Sequence, residues 1–596
     1  MYRGTWLLVG VPLLVAALAV AQPEPLAPPA LPPTFDAEAA RTLAEDLAIS
    51  RPDRMPGTLG AVDWVAERFR VYGFKPKLDR FEANVPGLGR TQLTNVSATA
   101  VGRSRQAIVV LAHRDNPGTS PGAIDNASGT AAMIELARAY AHTPGSAGGQ
   151  VRPAHDVVFL STDGGAFGGI GAAHFAADPS YAERIGAVIV LDSVAGQATP
   201  RIELGGDEPR SPAPLLVQTT AERLIEQTGQ QPDRPSALQQ LLDLGFPLGI
   251  GEQASFVAAG IPAVTLTTTR GHTPARPDDT NELRGERLGQ IGRAAQQLLV
   301  SLDSGAELAP ATGGYLYLGP RLVPGWAIQF VLVASVLPFL AAAVDLFARC
   351  RRHRIALAPA VRALRRRTVF WLAVGGLFFL LGLFGAWPDG VARPLPPEGQ
   401  AMADVPIVAL GVLAAAACTA WLVARERLLP RRPISATEEL AGSTAALVGL
   451  GVLALVTVAV NPYALLFLLP SLHAWIWLPQ FRDARLAVRL GIWAVGLAGP
   501  ALLVASYASR YELGFEAPWY LLSLVGIGYV DGITVVLTLV WAGAAAQLAA
   551  VAAHRYAPYP GADELPPGGA LRRSARLLAR LRSRREPERE LHALES

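Results

Sequence analysis

Two regimes of hydrophobic spacing divide this chain. Up to about residue 303, short β-branched runs at 91–100, 107–112, 156–162, 187–191 and 263–269 alternate with segments of helical apolar spacing. The helical segments are 36–49, 62–72, 130–140, 213–228 and 283–302, with Gly57 and Gly60 punctuating the first two. Strands that alternate with helices predict one α/β domain around a mixed, largely parallel sheet. From Pro324 onward the apolar runs lengthen to about 20 residues, the length that crosses a bilayer as a helix. Seven such stretches are predicted: 326–347, 368–387, 405–424, 441–460, 462–479, 490–508 and 531–553. The fold class is therefore an α/β domain followed by an all-α, multi-span membrane domain.

Charge orients the second half. Arg349, Arg351, Arg352, Arg354, Arg362, Arg365, Arg366 and Arg367 follow the first stretch, Arg425, Arg427, Arg431 and Arg432 the third, and Arg482, Arg485 and Arg489 the fifth. The intervening loops carry few, among them Arg393 and Arg510. Basic loops stay in the cytoplasm, so the α/β domain is predicted to face out. The segment 520–530 reads as a half-helix or as an extension of the last span. His473, Asp345 and Asp531 are the ionisable groups in or near the spans, and such groups are functional candidates. The tail from Leu571 has leucines at helical spacing among arginines, a basic amphipathic helix for the inner membrane face or a solvated charged helix.

The N-terminus points the same way. A basic start at Arg3, an apolar run over 6–20 and Ala19-Val20-Ala21 make either a signal peptide cleaved after Ala21 or an uncleaved anchor. Residues 22–35 form a proline-rich spacer. The expected layout is 1–21 signal segment, 22–35 spacer, 36–303 α/β domain, 304–323 linker, 324–556 membrane domain and 557–596 cytoplasmic tail. At 51% apolar and 17% charged residues, the 596-residue chain is too oily for a purely soluble protein. Its lysines are Lys75 and Lys77, and no motif argues for nucleic acid. Cys350 and Cys418 both lie in the oily half, so the exported domain is expected to stand on its core, without disulfides.

Candidate chemistry concentrates between His113 and Gly129. The run at 107–112 leads into His113-Arg114-Asp115, and Gly122-Ala-Ile-Asp125-Asn-Ala-Ser-Gly129 opens a helix. Histidine and aspartate at a strand's carboxyl end occupy the edge where open α/β sheets bind ligands. Asn126 and Ser128 can cap backbone N–H groups there. Imidazole and carboxylates converging on one edge suit zinc.

These segments resemble the metal motifs of the zinc aminopeptidase-like exopeptidases, the family of the secreted bacterial leucyl aminopeptidases, including its multi-span membrane-bound members. Over 36–303 the motifs appear in order: His113-x-Asp115, then Asp125, then the run ending in Asp192, then Gly271-His272-Thr with Asp279 after it. The resemblance implies metal ligation by His113, Asp125, Asp192 and His272, with Asp115 orienting His113. The third motif departs from the pattern. Gly165 stands in place of the general-base glutamate and Ala166 in place of a glutamate ligand. Glu252 and Gln253 stand where the family has Asp and His before Phe256. Three ligands plus water hold zinc and two do not hold it tightly, so one zinc ion is expected, two being the less favoured count. Asp163, Glu252 and Asp278 are the carboxylates near enough in sequence to replace the lost pair. Asp163 is the tentative substitute base, with a turn role as its alternative, whereas Glu252 reads as a hydrogen-bonding loop residue.

Two functions follow from this. One is a membrane-anchored metallo-exopeptidase with weak or altered hydrolysis of exported peptides. The other is a catalytically silent relative that binds a metal and a peptide or protein partner and acts as receptor or scaffold. Restoring both glutamates at positions 165 and 166 is expected to raise zinc content and activity, provided Gly165 does not need a positive φ.

Overall fold

The computed structural model describes residues 2–50, 54–118, 120–141, 152–269, 278–304, 312–388, 390–394, 397, 405–429, 432 and 434–557. His272, Arg431 and the basic tail lie outside them.

Seven strands form one sheet: β1 Lys77–Val85, β2 Gly89–Ala100, β3 Ser104–His113, β4 His155–Thr162, β5 Ile185–Leu191, β6 Arg201–Glu203 and β7 Ala263–Thr267. Their order is β1-β2-β4-β3-β5-β7-β6. The central β4, β3, β5 and β7 run parallel, while β1, β2 and β6 are antiparallel additions at the flanks. This is the mixed, largely parallel sheet that the alternation predicts. All five predicted runs became strands. β1 and β6 were not foreseen: β1 is a half-exposed edge strand with only Ala83 and Val85 buried, and β6 is three residues long. The central strands are buried on both faces, so they read as continuous apolar runs.

Parallel strands bring their carboxyl ends to one edge. His113 ends β3 opposite Thr162 at the end of β4, and Asp192 follows β5. The helices Ala37–Ser50, Leu59–Val71, Gly129–Arg138, Pro214–Thr228 and Gly285–Ser304 fall where the sequence places them. The short helices Ile170–Ala176, Ala237–Gly245 and Gln253–Ala258 add to that set. The proline-rich stretch is no free spacer. Leu26 bonds Thr219 through its N–H at 3.0 Å, and Ala27 accepts from Ser301 Oγ, which lays the stretch along the domain's helices.

In the second half, five helices among the described residues are long and apolar enough to cross a membrane: Gly325–Arg352, Ala358–Leu383, Ile407–Leu428, Ala436–Val460 and Gly532–Ala552. A sixth crossing is available if Leu486–Val495 and Ala498–Arg510, bent by 56°, count as one. The predicted stretch 462–479 differs: its helix Leu465–Trp475 has 11 residues, about half a crossing at roughly 1.5 Å per residue. Of the segment 520–530, residues 520–526 belong to a separate short helix, Ala517–Gly526, and the rest is the turn before Gly532–Ala552. The three ionisable candidates have structural partners. His473 Nε2 lies 3.0 Å from the Ser335 carbonyl, Asp345 pairs with Arg349 at 2.7 Å, and Asp531 caps the N-terminus of Gly532–Ala552. The apolar helix Leu7–Leu18 is shorter than the crossing helices, and Ala21 exchanges both backbone hydrogen bonds with Leu322.

Candidate metal centre

His113 reaches the edge at the end of β3 with its imidazole buried. Asp125 comes from the loop before Gly129–Arg138, and Asn126 holds that loop. Its Oδ1 accepts from Gly129 N–H at 3.0 Å and from Ser193 N–H at 3.0 Å, the capping predicted from its position. Ser128 Oγ accepts from Val194 N–H at 3.1 Å. Asp192 leaves the end of β5. His113 Nε2 then lies 3.2 Å from Asp125 Oδ1 and 3.7 Å from Asp192 Oδ1. One donor atom from each of these residues lies within 4.8 Å of the others, as around one cation. A nitrogen and two carboxylate oxygens are zinc donors, so the residues present fit a single zinc ion.

Burial works against a charge on His113, yet its contacts with Asp125 and Asp192 outweigh it and hold the imidazole's pKa well above the usual value. Asp115 meets His113 through its backbone: its carbonyl faces Nδ1 at 3.0 Å, while its carboxylate Oδ1 is 3.7 Å away. That carboxylate instead accepts from the N–H groups of Gly165 at 2.8 Å and Ala166 at 3.1 Å.

The altered third motif is therefore folded inward. Gly164, Gly168 and Gly169 take positive φ, and Gly165 does not. What Gly165 needs is space: a Cβ there would meet His113 Cβ at 2.2 Å and Cγ at 2.3 Å. This overturns the expectation that glutamates restored at 165 and 166 would raise zinc content. Gly165→Glu is instead expected to displace the imidazole, at an overpacking cost of about 1–3 kcal/mol. Thermal melting and zinc content of the full chain check this; a variant as stable as the native chain, with more zinc, would mean that the loop swings clear.

The three reserve carboxylates have separate fates. Asp163, the tentative base, is buried in an ion pair with Arg114 at 2.9 Å and also accepts from Thr94 N–H at 3.1 Å. Both contacts fall on Oδ2, and Gly57 N–H approaches Oδ1 at 3.4 Å, so this carboxylate is tied into the fold and faces Arg114. Asp278 clamps the metal loop, accepting from Ile124 N–H at 2.6 Å and Asp125 N–H at 2.8 Å, and burial pushes its pKa up to about 6. Asp278 thus takes the inward place that the motif spacing assigned to Asp279, which caps the turn at Asn281.

Glu252 is the carboxylate with capacity left. It is buried, its Oε1 accepts from Thr162 Oγ1 at 2.5 Å, and its Oε2 has no hydrogen-bond partner. Desolvation raises its pKa to about 7, partly offset by His113 and Thr162, with Asp115 and Asp192 adding to the rise. Gln253 is structural: its side chain bonds the Gly205 carbonyl at 3.0 Å and the Thr265 hydroxyl at 2.7 Å.

Two buried arginines were not foreseen. Arg54 donates to the carbonyls of Arg114 and Gly122, and the negative charges of Asp125, Asp115 and Asp278 act on it. Arg114 donates to the carbonyls of Ser161 and Thr162 as well as pairing with Asp163. Arginine next to a ligand motif was the available signal. A small cleft runs from Asp192 past Gly251, Gln253 and Thr267 to Arg510 and Tyr511 of the membrane half.

Residues 95–299 match the family described as Peptidase family M28. The chain is 32% identical over 195 residues to Transferrin receptor protein 2 of Rattus norvegicus, which is 30% of this chain and 22% of the relative. To the Homo sapiens protein of the same name it is 31% identical over 195 residues, with the same shares. The chain thus spans 22% of the length of these curated relatives. Among solved structures, it is similar to an aminopeptidase from Aneurinibacillus sp. strain AM-1, at 14% identity over 46% of this chain and 96% of that one, TM-score 0.37. It is also similar to Fimbriiglobus ruber glutaminyl cyclase, at 20% identity over 47% of this chain and 99% of that one, TM-score 0.38.

Proposed function

We propose that this chain is a membrane-anchored, single-zinc exopeptidase-like hydrolase that acts slowly on peptides outside the cytoplasm. The observation that carries the reading is the cluster of His113, Asp125 and Asp192 beside a buried carboxyl, Glu252, with an unused oxygen. Zinc bound at the cluster supplies Lewis-acid chemistry toward a peptide carbonyl. The chain's own residues do the rest. Asp115 and Asp278 fix the two ligand segments through backbone contacts. Glu252 Oε2 is the atom that accepts a proton from the attacking water and returns it to the leaving amine, the task of the missing glutamate. A carboxyl with its pKa near 7 suits both directions of that transfer at neutral pH.

Orientation is supported by two independent features. The arginine-rich loops lie after Gly325–Arg352, Ile407–Leu428 and Leu465–Trp475. The α/β domain touches the opposite ends: Asn461 Nδ2 bonds the Leu244 carbonyl at 2.9 Å, and Arg510 pairs with Asp243 at 2.8 Å. The bilayer is thus one partner and an exported peptide the other.

A binding-only reading has two observations in its favour. Gly165 packs so closely on His113 that the family's own base cannot be accommodated, and the curated relatives carry the name of a receptor.

The test uses the full chain in detergent or nanodiscs. The reading expects close to one zinc per chain, slow zinc-dependent release from amino-acyl reporter peptides, and cleavage of the α/β domain by protease added outside intact cells. Zinc without turnover would select the binding-only reading. Protection of the domain from outside protease would overturn the orientation.

A further inference from the structure

The loop after Ala358–Leu383 belongs to the membrane half, yet it ends on the altered third motif. Arg393 Nε donates to the Gly168 carbonyl at 2.8 Å, and Nη1 forms an ion pair with Asp207. Tyr529, from a second outer loop, donates to the same Asp207 at 3.0 Å. Two outer loops of the membrane half thus converge beside the site.

The arrangement leaves two buried polar atoms without hydrogen-bond partners, Arg393 Nη2 and Glu252 Oε2. Both side chains approach one point: a Cβ built on Gly169 would lie 3.6 Å from Glu252 Cγ and 3.8 Å from Arg393 Nη2. The two groups form no ion pair with each other, yet both border the same small space beside Gly169, where little water is present to screen a charge. The other charged groups within electrostatic reach of Glu252 are His113, Asp115 and Asp192, and Thr162 holds its second oxygen. The Gly168 carbonyl that Arg393 grips lies on the loop whose N–H groups at Gly165 and Ala166 hold Asp115.

We propose that Arg393 is a positioning residue for the peptidase-like site: the Gly168 carbonyl and Asp207 anchor its guanidinium, by which the membrane half presents a cation to Glu252. The site is then complete only while the outer loop of the membrane half is docked on it. This rests on the reading of Glu252 as the acid–base group.

The experiment compares Arg393→Ala, Arg393→Lys, Glu252→Gln and the Arg393→Ala/Glu252→Gln double variant as full chains. Arg393→Ala is expected to lower kcat about tenfold, with KM and zinc content little changed, and Arg393→Lys to recover part of the loss. The double variant is expected to be no slower than Glu252→Gln alone, because Arg393 acts through Glu252. Native kcat in Arg393→Ala, or losses that simply add in the double variant, would overturn the proposal. So would a loss in Arg393→Ala that comes with lost zinc or a lowered melting temperature and is not eased by lysine. A readout independent of turnover separates this from failure of the hydrolase reading. Infrared difference spectra of native chain against Glu252→Gln report the charge on Glu252 at fixed pH. Arg393→Ala is expected to shift that carboxyl toward its neutral form, and an unchanged band would overturn the proposal even if no hydrolysis is ever found.

Discussion

His113→Ala is expected to leave the purified chain without tightly held zinc and without zinc-dependent hydrolysis. His113 is the nitrogen donor of the cluster and the residue that faces both carboxylates, at 3.2 Å and 3.7 Å. Without it Asp125 and Asp192 remain, and two protein ligands do not hold zinc tightly. Even partners of ligating groups cost about 10–100-fold in metal affinity when removed, so loss of a ligand is expected to cost more. Dialysis against a zinc buffer, followed by metal analysis, reads the affinity. Asp192→Ala is expected to behave alike and His272→Ala to matter less. Full zinc retention in His113→Ala would place the metal elsewhere.

Glu252→Gln is expected to keep zinc and fold while lowering kcat by about 10²–10⁴, the usual worth of a positioned acid–base group. The amide keeps an oxygen for the Thr162 hydroxyl and removes only the ability to move a proton. Asp163→Asn gives the contrast. It leaves Arg114 buried without its counter-charge, a loss of about 3–5 kcal/mol, so it is expected to lower the melting temperature first. Steady-state kinetics alongside melting curves separate the two variants. Glu252→Gln with native kcat would remove Glu252 from the chemistry and favour the binding-only reading.

Most of the sheet was legible because its central strands are buried on both faces. Burial on both faces writes an unbroken β-branched run into the sequence, as at 107–112 and 187–191. β1 left no such record, since an edge strand with two buried side chains needs little apolar spacing. Five single helices of crossing length were read for the same reason as the strands. The 11 residues of Leu465–Trp475 were over-read, because hydropathy does not report where a helix ends.

By itself the sequence determined which residues gather at the metal edge. Parallel strands deliver their carboxyl ends together, so His113, Asp125 and Asp192 follow from register and order alone. It also carries Gly165 and Ala166 where the resemblance leads one to expect two glutamates. Only the tertiary structure separated the nearby carboxylates, and the reason is burial. Asp163 and Glu252 are both acidic loop residues in sequence, yet Asp163 is neutralised by Arg114 and Glu252 keeps an unpaired oxygen. Only the structure, likewise, showed Gly165 pressed on His113 and Arg393 brought across 225 residues to Gly168. Such contacts depend on packing between segments remote in the chain, for which local spacing carries no signal.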